Sequence, residues 1–89
     1  MPRETPDRQR AVHGPQYRRM LGRLRQARIE AGLTQVQVAA ALGRTQAFVS
    51  KCELGERRID PIDLVGFARI YHRPMDYFVQ DGRKRGRHF

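Results

Sequence analysis

The 89-residue chain has one cysteine, Cys52, and no long apolar run. A single cysteine excludes an internal disulfide framework, so the fold must depend on its apolar core, which suits a reducing compartment. The charge-free stretch 31–43 is too short and too polar for a membrane-spanning helix, which needs about 20 mostly apolar residues. The first ten residues lack the apolar segment of a signal peptide. We therefore expect a cytoplasmic protein with no membrane partner.

Acidic residues are also scarce, since nine Asp and Glu stand against 18 Lys and Arg, for a formal net charge of +9. The last eight residues are the most basic part of the chain. Such a balance favours a polyanionic partner, because neutralised phosphates release condensed counterions. By charge alone, nucleic acid and acidic membrane lipid would both be suitable partners.

Composition divides the chain into three segments. Residues 1–16 contain three prolines, a glycine and mixed charges without apolar periodicity, which predicts a flexible arm. Residues 82–89 form a basic tail in which 85–87, Arg-Gly-Arg, resembles the centre of an A·T-hook without its prolines. Residues 17–81 carry helical signals and no alternating strand pattern. We expect one all-α domain there, a compact bundle of four or five helices.

Apolar spacings of three and four predict a first helix over 17–31, which Gly32 ends. Thr34 and Thr45 are N-cap candidates for two short helices. Between these helices, Gly43 suits the positive φ of a sharp turn.

Asp60 and Pro61 are the N-cap and first residue of a fourth helix, and Pro74 opens a short fifth one. The apolar positions of the five helices predict one core. Its expected members are Leu21, Leu24, Leu33, Val38, Ala39, Leu42, Val49, Cys52, Leu64, Phe67, Ala68, Tyr71 and Phe78.

The third helix, 46–54, has an outward side suited to DNA bases. On a helical wheel Val49, Cys52 and Glu53 point inward. Glutamine can bond adenine, lysine suits guanine, and small or apolar groups touch the thymine methyl. The candidates for base contact are Gln46, Ala47, Phe48, Ser50 and Lys51. A solvated face would look similar apart from Phe48, which also suits a dimer contact or a partly buried filler.

Residues 21–79 resemble the Cro and lambda-repressor-like helix-turn-helix family, also called the xenobiotic-response-element family. The matching positions are Leu24, Arg28, Ala31, Gly32, Leu33, Thr34, Gln35, Val38, Ala39, Leu42, Gly43, Val49, Ser50, Glu53, Gly55, Pro61, Phe67, Ala68 and Tyr71. Arg44, Phe48 and Cys52 depart from the pattern of the family.

The resemblance implies a lambda-repressor-like helix-turn-helix domain whose helix 46–54 lies in the major groove. It implies that Gln35 contacts a phosphate and braces Gln46, and that Arg28 and Glu53 pair across two helices. The phosphate contacts we expect are Gln35, Arg44, Thr45, Arg57 and Arg58.

We therefore expect a sequence-specific binder of double-stranded DNA that regulates transcription, with repression as the default. One recognition helix reads few base pairs, so a homodimer should bind half-sites about 34 Å apart. Met75, Tyr77 and Val79 are candidates for the dimer surface. We expect no enzymatic activity, small-molecule substrate, cofactor or metal, because the histidines are isolated and Ser50 lacks a recognisable base.

Two other classes of function remain open at this point. An antitoxin-like or adaptor protein would chiefly bind another protein, and the arm 1–16 would fold on that partner. Nonspecific binding of nucleic acid through charge is the other alternative, although the chain lacks the interleaved aromatic residues that bind single strands.

Overall fold

The structure, a computed structural model, describes residues 14–79, which form five α-helices and no strand. This confirms the all-α helix-turn-helix fold expected from the sequence. The predicted tail 82–89 and most of the predicted arm lie outside the described residues. No helix within 14–79 is long and apolar enough to cross a membrane. The helices are α1 (Pro15–Glu30), α2 (Gln35–Leu42), α3 (Gln46–Leu54), α4 (Pro61–Tyr71) and α5 (Met75–Val79).

Local capping residues fix the ends of α2 and α3. The Thr34 hydroxyl accepts a hydrogen bond from the backbone N–H of Gln37, whose side chain accepts one from the Thr34 N–H, and this pair forms a capping box. Thr45 caps α3 in the simpler way, through the N–H of Phe48. Gly43 ends α2 with a φ of 72°, a left-handed conformation that glycine adopts without a steric penalty.

The first helix begins earlier than its apolar spacing indicated. It starts at Pro15 instead of Tyr17, because proline at the first helical position has a suitable φ and needs no N–H partner. The segment predicted as an arm, 1–16, therefore includes the first two residues of α1. Tyr17 lies within the helix, and its hydroxyl accepts a hydrogen bond from the Ile59 N–H at 3.0 Å. This bond ties the loop before α4 to α1.

The core forms where all five helices meet. All its expected members are buried except Leu33 and Leu42, which are half-buried and pack against it. Four further hydrophobic residues are buried that the expected core lacked: Met20, Ala27, Phe48 and Ile59.

Close packing of α2, α3 and α4 fixes the position of the helix-turn-helix. Ala39 on α2 and Val49 and Cys52 on α3 are buried in the same core cluster. On the other side of α2, a Cβ added at Gly66 of α4 would lie only 2.8 Å from Leu42 Cδ2. Because Gly66 has no side chain, α4 can pack closely against α2 and hold it in position.

Candidate nucleic-acid interface

The third helix has one buried side and one exposed side. Val49 and Cys52 have no exposed surface, whereas Ala47 and Lys51 are exposed. This arrangement agrees with the helical wheel predicted from the sequence. The outward side of α3 therefore presents Ala47 and Lys51 to a partner.

A continuous chain of hydrogen bonds links α1, α3 and α2. The Arg28 Nε donates to Glu53 Oε2 at 2.6 Å, and a second guanidinium nitrogen donates to Glu53 Oε1 at 3.2 Å. The Gln35 amide nitrogen donates to Glu53 Oε1 at 3.0 Å. The Gln46 amide nitrogen then donates to Gln35 Oε1 at 2.7 Å. The pairing of Arg28 with Glu53 and the bracing of Gln46, both implied by the resemblance, are present in the structure.

The chemistry of the acceptors fixes the orientation of both amides. An ionised carboxylate only accepts hydrogen bonds, so Gln35 must turn its NH₂ group toward Glu53. Its carbonyl oxygen then faces Gln46, which must donate in turn. Gln46 keeps its own carbonyl oxygen and one N–H without a partner in this chain of bonds. One acceptor and one donor are what an adenine edge requires in the major groove.

The ion pair at the start of this chain is sheltered from solvent. The side chains of Arg28 and Glu53 are 13% and 4% exposed, and the guanidinium also donates to the Leu33 carbonyl oxygen. The hydrogen bonds to Glu53 raise the pKa of Arg28 above its ordinary value, although desolvation opposes this shift. The guanidinium stays charged and holds the Glu53 carboxylate in place, where the Gln35 amide donates to it.

Exposed cations lie at both ends of α3. Arg44 precedes the helix, and Arg57 and Arg58 follow it. Arg44 pairs with Asp63 at 3.1 Å. No carboxylate within residues 14–79 pairs with Arg57, Arg58 or the exposed Lys51. These three cations are therefore available to phosphate groups.

Gln35 and Thr45 retain donors for a phosphate. The Gln35 amide has one N–H beyond the one that Glu53 accepts, and its backbone N–H is the first of α2. The Thr45 hydroxyl accepts a bond as the N-cap of α3, so its own hydrogen is left to donate.

Phe48 lies in a different environment from the other four candidates for base contact. Its side chain belongs to the core and is only 7% exposed. The ring is therefore not available to a thymine methyl in this conformation. Of the three roles considered for Phe48, that of a side chain filling space at the edge of the core agrees with its burial. The wheel suggested an outward position, because it could not show that Arg44 and Arg57 fold over the ring.

Cys52 is a buried component of the core. Desolvation is the main reason that its pKa is raised to about 11, so the thiol stays protonated at neutral pH. Among the described residues no group of His, Cys, Asp and Glu could hold a metal ion.

Two functional contacts were not visible in the sequence. Asp63 holds Arg44 although the two residues are 19 positions apart, and the Leu33 carbonyl accepts from Arg28. Asp63 occupies the third position of α4, where an acidic residue is common for local reasons. No sequence pattern indicated which cation it meets.

Two short helices joined by a tight turn, the second with a free polar side, define a helix-turn-helix protein. A family model described as a helix-turn-helix domain matches residues 19–76, more than half of the chain. The chain belongs to this helix-turn-helix family, and the family suggests DNA binding and a part in transcription regulation. No curated protein matches the chain.

Proposed function

We propose that the protein binds double-stranded DNA sequence-specifically through the major groove and regulates transcription at the nucleoid, with repression as the default. The observation that carries this proposal is the chain of hydrogen bonds from Glu53 through Gln35 to Gln46. It holds an amide with a free donor and a free acceptor at the first position of an exposed helix. The N-terminal residues of a recognition helix are the ones that meet base edges.

Direct readout is assigned to the outward residues of α3. Gln46 accepts from adenine N6 and donates to N7, while Lys51 donates to guanine. Ala47 and Ser50 contribute a small apolar contact and a hydroxyl. Phe48 is left out of this set because its ring is buried.

Phosphate contacts on both sides of α3 would set its register in the groove. The proposed groups are Gln35, Arg44 and Thr45 before the helix and Arg57 and Arg58 after it. Contacts of this kind position a protein on the duplex without reading its sequence. They also make binding depend steeply on salt.

We assign the functional unit to a homodimer. A single α3 reaches only a few base pairs, and a two-fold pair would read half-sites about one helical turn apart. On α5, Met75 and Val79 are 37% and 44% exposed, which supports that surface as the interface. Tyr77 is half-buried beneath the Arg73 guanidinium and would lie at the margin.

The test is selection of bound sites from random duplex DNA at about physiological salt, where charge alone binds weakly. We expect an enriched inverted repeat with half-sites about one turn apart. Absence of enrichment, with binding that disappears as salt rises, would contradict the proposal.

A protein-binding adaptor is the second candidate, and one surface favours it. A shallow groove between α1 and the end of α3 exposes Ile29 and Leu54, which are 53% and 65% accessible, beside Arg18 and Arg25. If selection fails, co-purification of a second chain that Leu54→Arg abolishes would support this role.

A further inference from the structure

The ring of Phe48 contacts two arginines that belong to different parts of the chain. The Arg44 guanidinium carbon lies 4.0 Å from the ring centroid, and that of Arg57 lies 4.9 Å from it. Arg44 belongs to the turn before α3, and Arg57 to the loop after it. The Phe48 side chain is therefore contacted by the segments at both ends of the recognition helix.

Two guanidinium groups on one ring repel each other, so this arrangement needs compensation. The negative face of the ring attracts both cations, and Asp63 neutralises one of them through Arg44. No carboxylate among residues 14–79 pairs with Arg57. The cluster therefore keeps a net positive charge beside the N-terminus of α3, where the helix dipole adds a further positive potential. A bound anion would neutralise this positive charge.

We propose that Phe48 is a positioning residue that holds Arg44 and Arg57 together as a clamp for one DNA phosphate. This inference rests on the proposed function, in which both arginines contact the DNA backbone. A free arginine side chain loses rotamer freedom when it binds, and one already held on a ring loses less. Phe48 would thus raise affinity for every sequence while contributing nothing to the choice of base.

The test compares Phe48→Met, which keeps an apolar side chain of similar size, with Phe48→Tyr, which keeps the ring face. Urea unfolding first selects the variants that fold. Affinity is then measured across a salt series on a selected duplex and on a scrambled one. We expect Phe48→Met to weaken binding about threefold to tenfold on both duplexes and to leave their ratio unchanged. Phe48→Tyr should stay close to the parent protein.

A double-mutant cycle separates positioning from a general effect on the fold. Arg44→Ala and Arg57→Ala should each cost less affinity in the Phe48→Met background than in the parent protein, because the ring no longer organises them. Arg25→Ala on α1 is the charge-matched control, and its effect should be the same in both backgrounds. Additive losses for all three arginines would overturn the proposal.

A readout without DNA distinguishes failure of this inference from failure of the proposed function. In NMR spectra the side-chain protons of Arg44 and Arg57 should show ring-current shifts that disappear in Phe48→Met and persist in Phe48→Tyr. If the parent protein lacks those shifts, the proposed phosphate clamp is wrong. The proposal of sequence-specific DNA binding is not affected by that result. A parent protein that shows the shifts but binds no duplex overturns the proposed function and the clamp with it.

Discussion

Cys52 and Phe48 were both unusual for their positions in the family pattern, and burial explains both. The helical wheel placed Cys52 inward correctly, because its neighbours on the same helix determine that side. It failed for Phe48, since the groups that cover this ring come from a turn and a loop. Helical periodicity predicts which side of a helix is buried, whereas contacts with irregular segments depend on tertiary structure.

The buried thiol predicts a loss of stability in alkali. Burial raises the pKa of Cys52 from its ordinary 9.0 to about 11 in the folded protein. Above pH 9 the unfolded chain therefore releases a proton that the folded chain keeps, so the free energy of unfolding should fall between pH 9 and 11. Burial also raises the pKa of Tyr71, which adds to the fall at the upper end of this range. Urea unfolding at a series of pH values measures the effect.

Cys52→Ala is the matched control for this prediction. The variant is less stable at neutral pH because it leaves a cavity, but its stability should decline less steeply from pH 9 to 11. An equally steep decline in the variant would assign the alkaline loss to other groups.

At the scale of the helices, one ion pair links α1 to α3 and carries the bonds that hold Gln46. Its low exposure separates it from the Arg73–Glu30 pair, which has the same distance of 2.6 Å but side chains that are 33% and 46% exposed. Resemblance to the family, not periodicity, predicted the pairing of Arg28 with Glu53. The helix ends, in contrast, followed from Thr34, Thr45 and Gly43 alone.

Breaking the buried pair should cost far more stability than breaking the exposed one. Glu53→Ala leaves the Arg28 charge without its partner and should lower the free energy of unfolding by about 3 to 5 kcal/mol. Glu30→Ala, the control, should cost far less, because solvent screens an exposed ion pair. Denaturant unfolding measures both, and equal losses would show that burial does not distinguish the two pairs.

Two glycines should respond to alanine in opposite directions. Gly22 lies inside α1 with nothing within 4 Å of an added Cβ, so Gly22→Ala should stabilise the protein by about 0.5 to 1 kcal/mol. Gly43 also has open space, but its φ of 72° makes Gly43→Ala unfavourable by about 1 to 2 kcal/mol. Thermal unfolding of the two variants tests this, and a shift of the same sign in both would contradict it.

For the whole molecule, the sequence was sufficient for the five helices, most of the core and the exposed side of α3. Local caps and periodic apolar residues carry that information. The sequence was insufficient for Asp63 and for the arginines over Phe48, since those contacts join residues from separate elements. The apolar spacing also places the start of α1 two residues late, because Pro15 and Gln16 precede the first residue of that apolar pattern.

The most direct test of sequence-specific binding is the ratio of affinities for a selected duplex and a scrambled one at about physiological salt, for the parent protein and Gln46→Ala. We predict a ratio of at least about a thousandfold for the parent. Gln46→Ala should reduce the ratio by about tenfold to a hundredfold, through the loss of one bidentate base contact. Arg25→Ala should leave it unchanged. A parent ratio near one, or a ratio that Gln46→Ala does not alter, would contradict readout through α3.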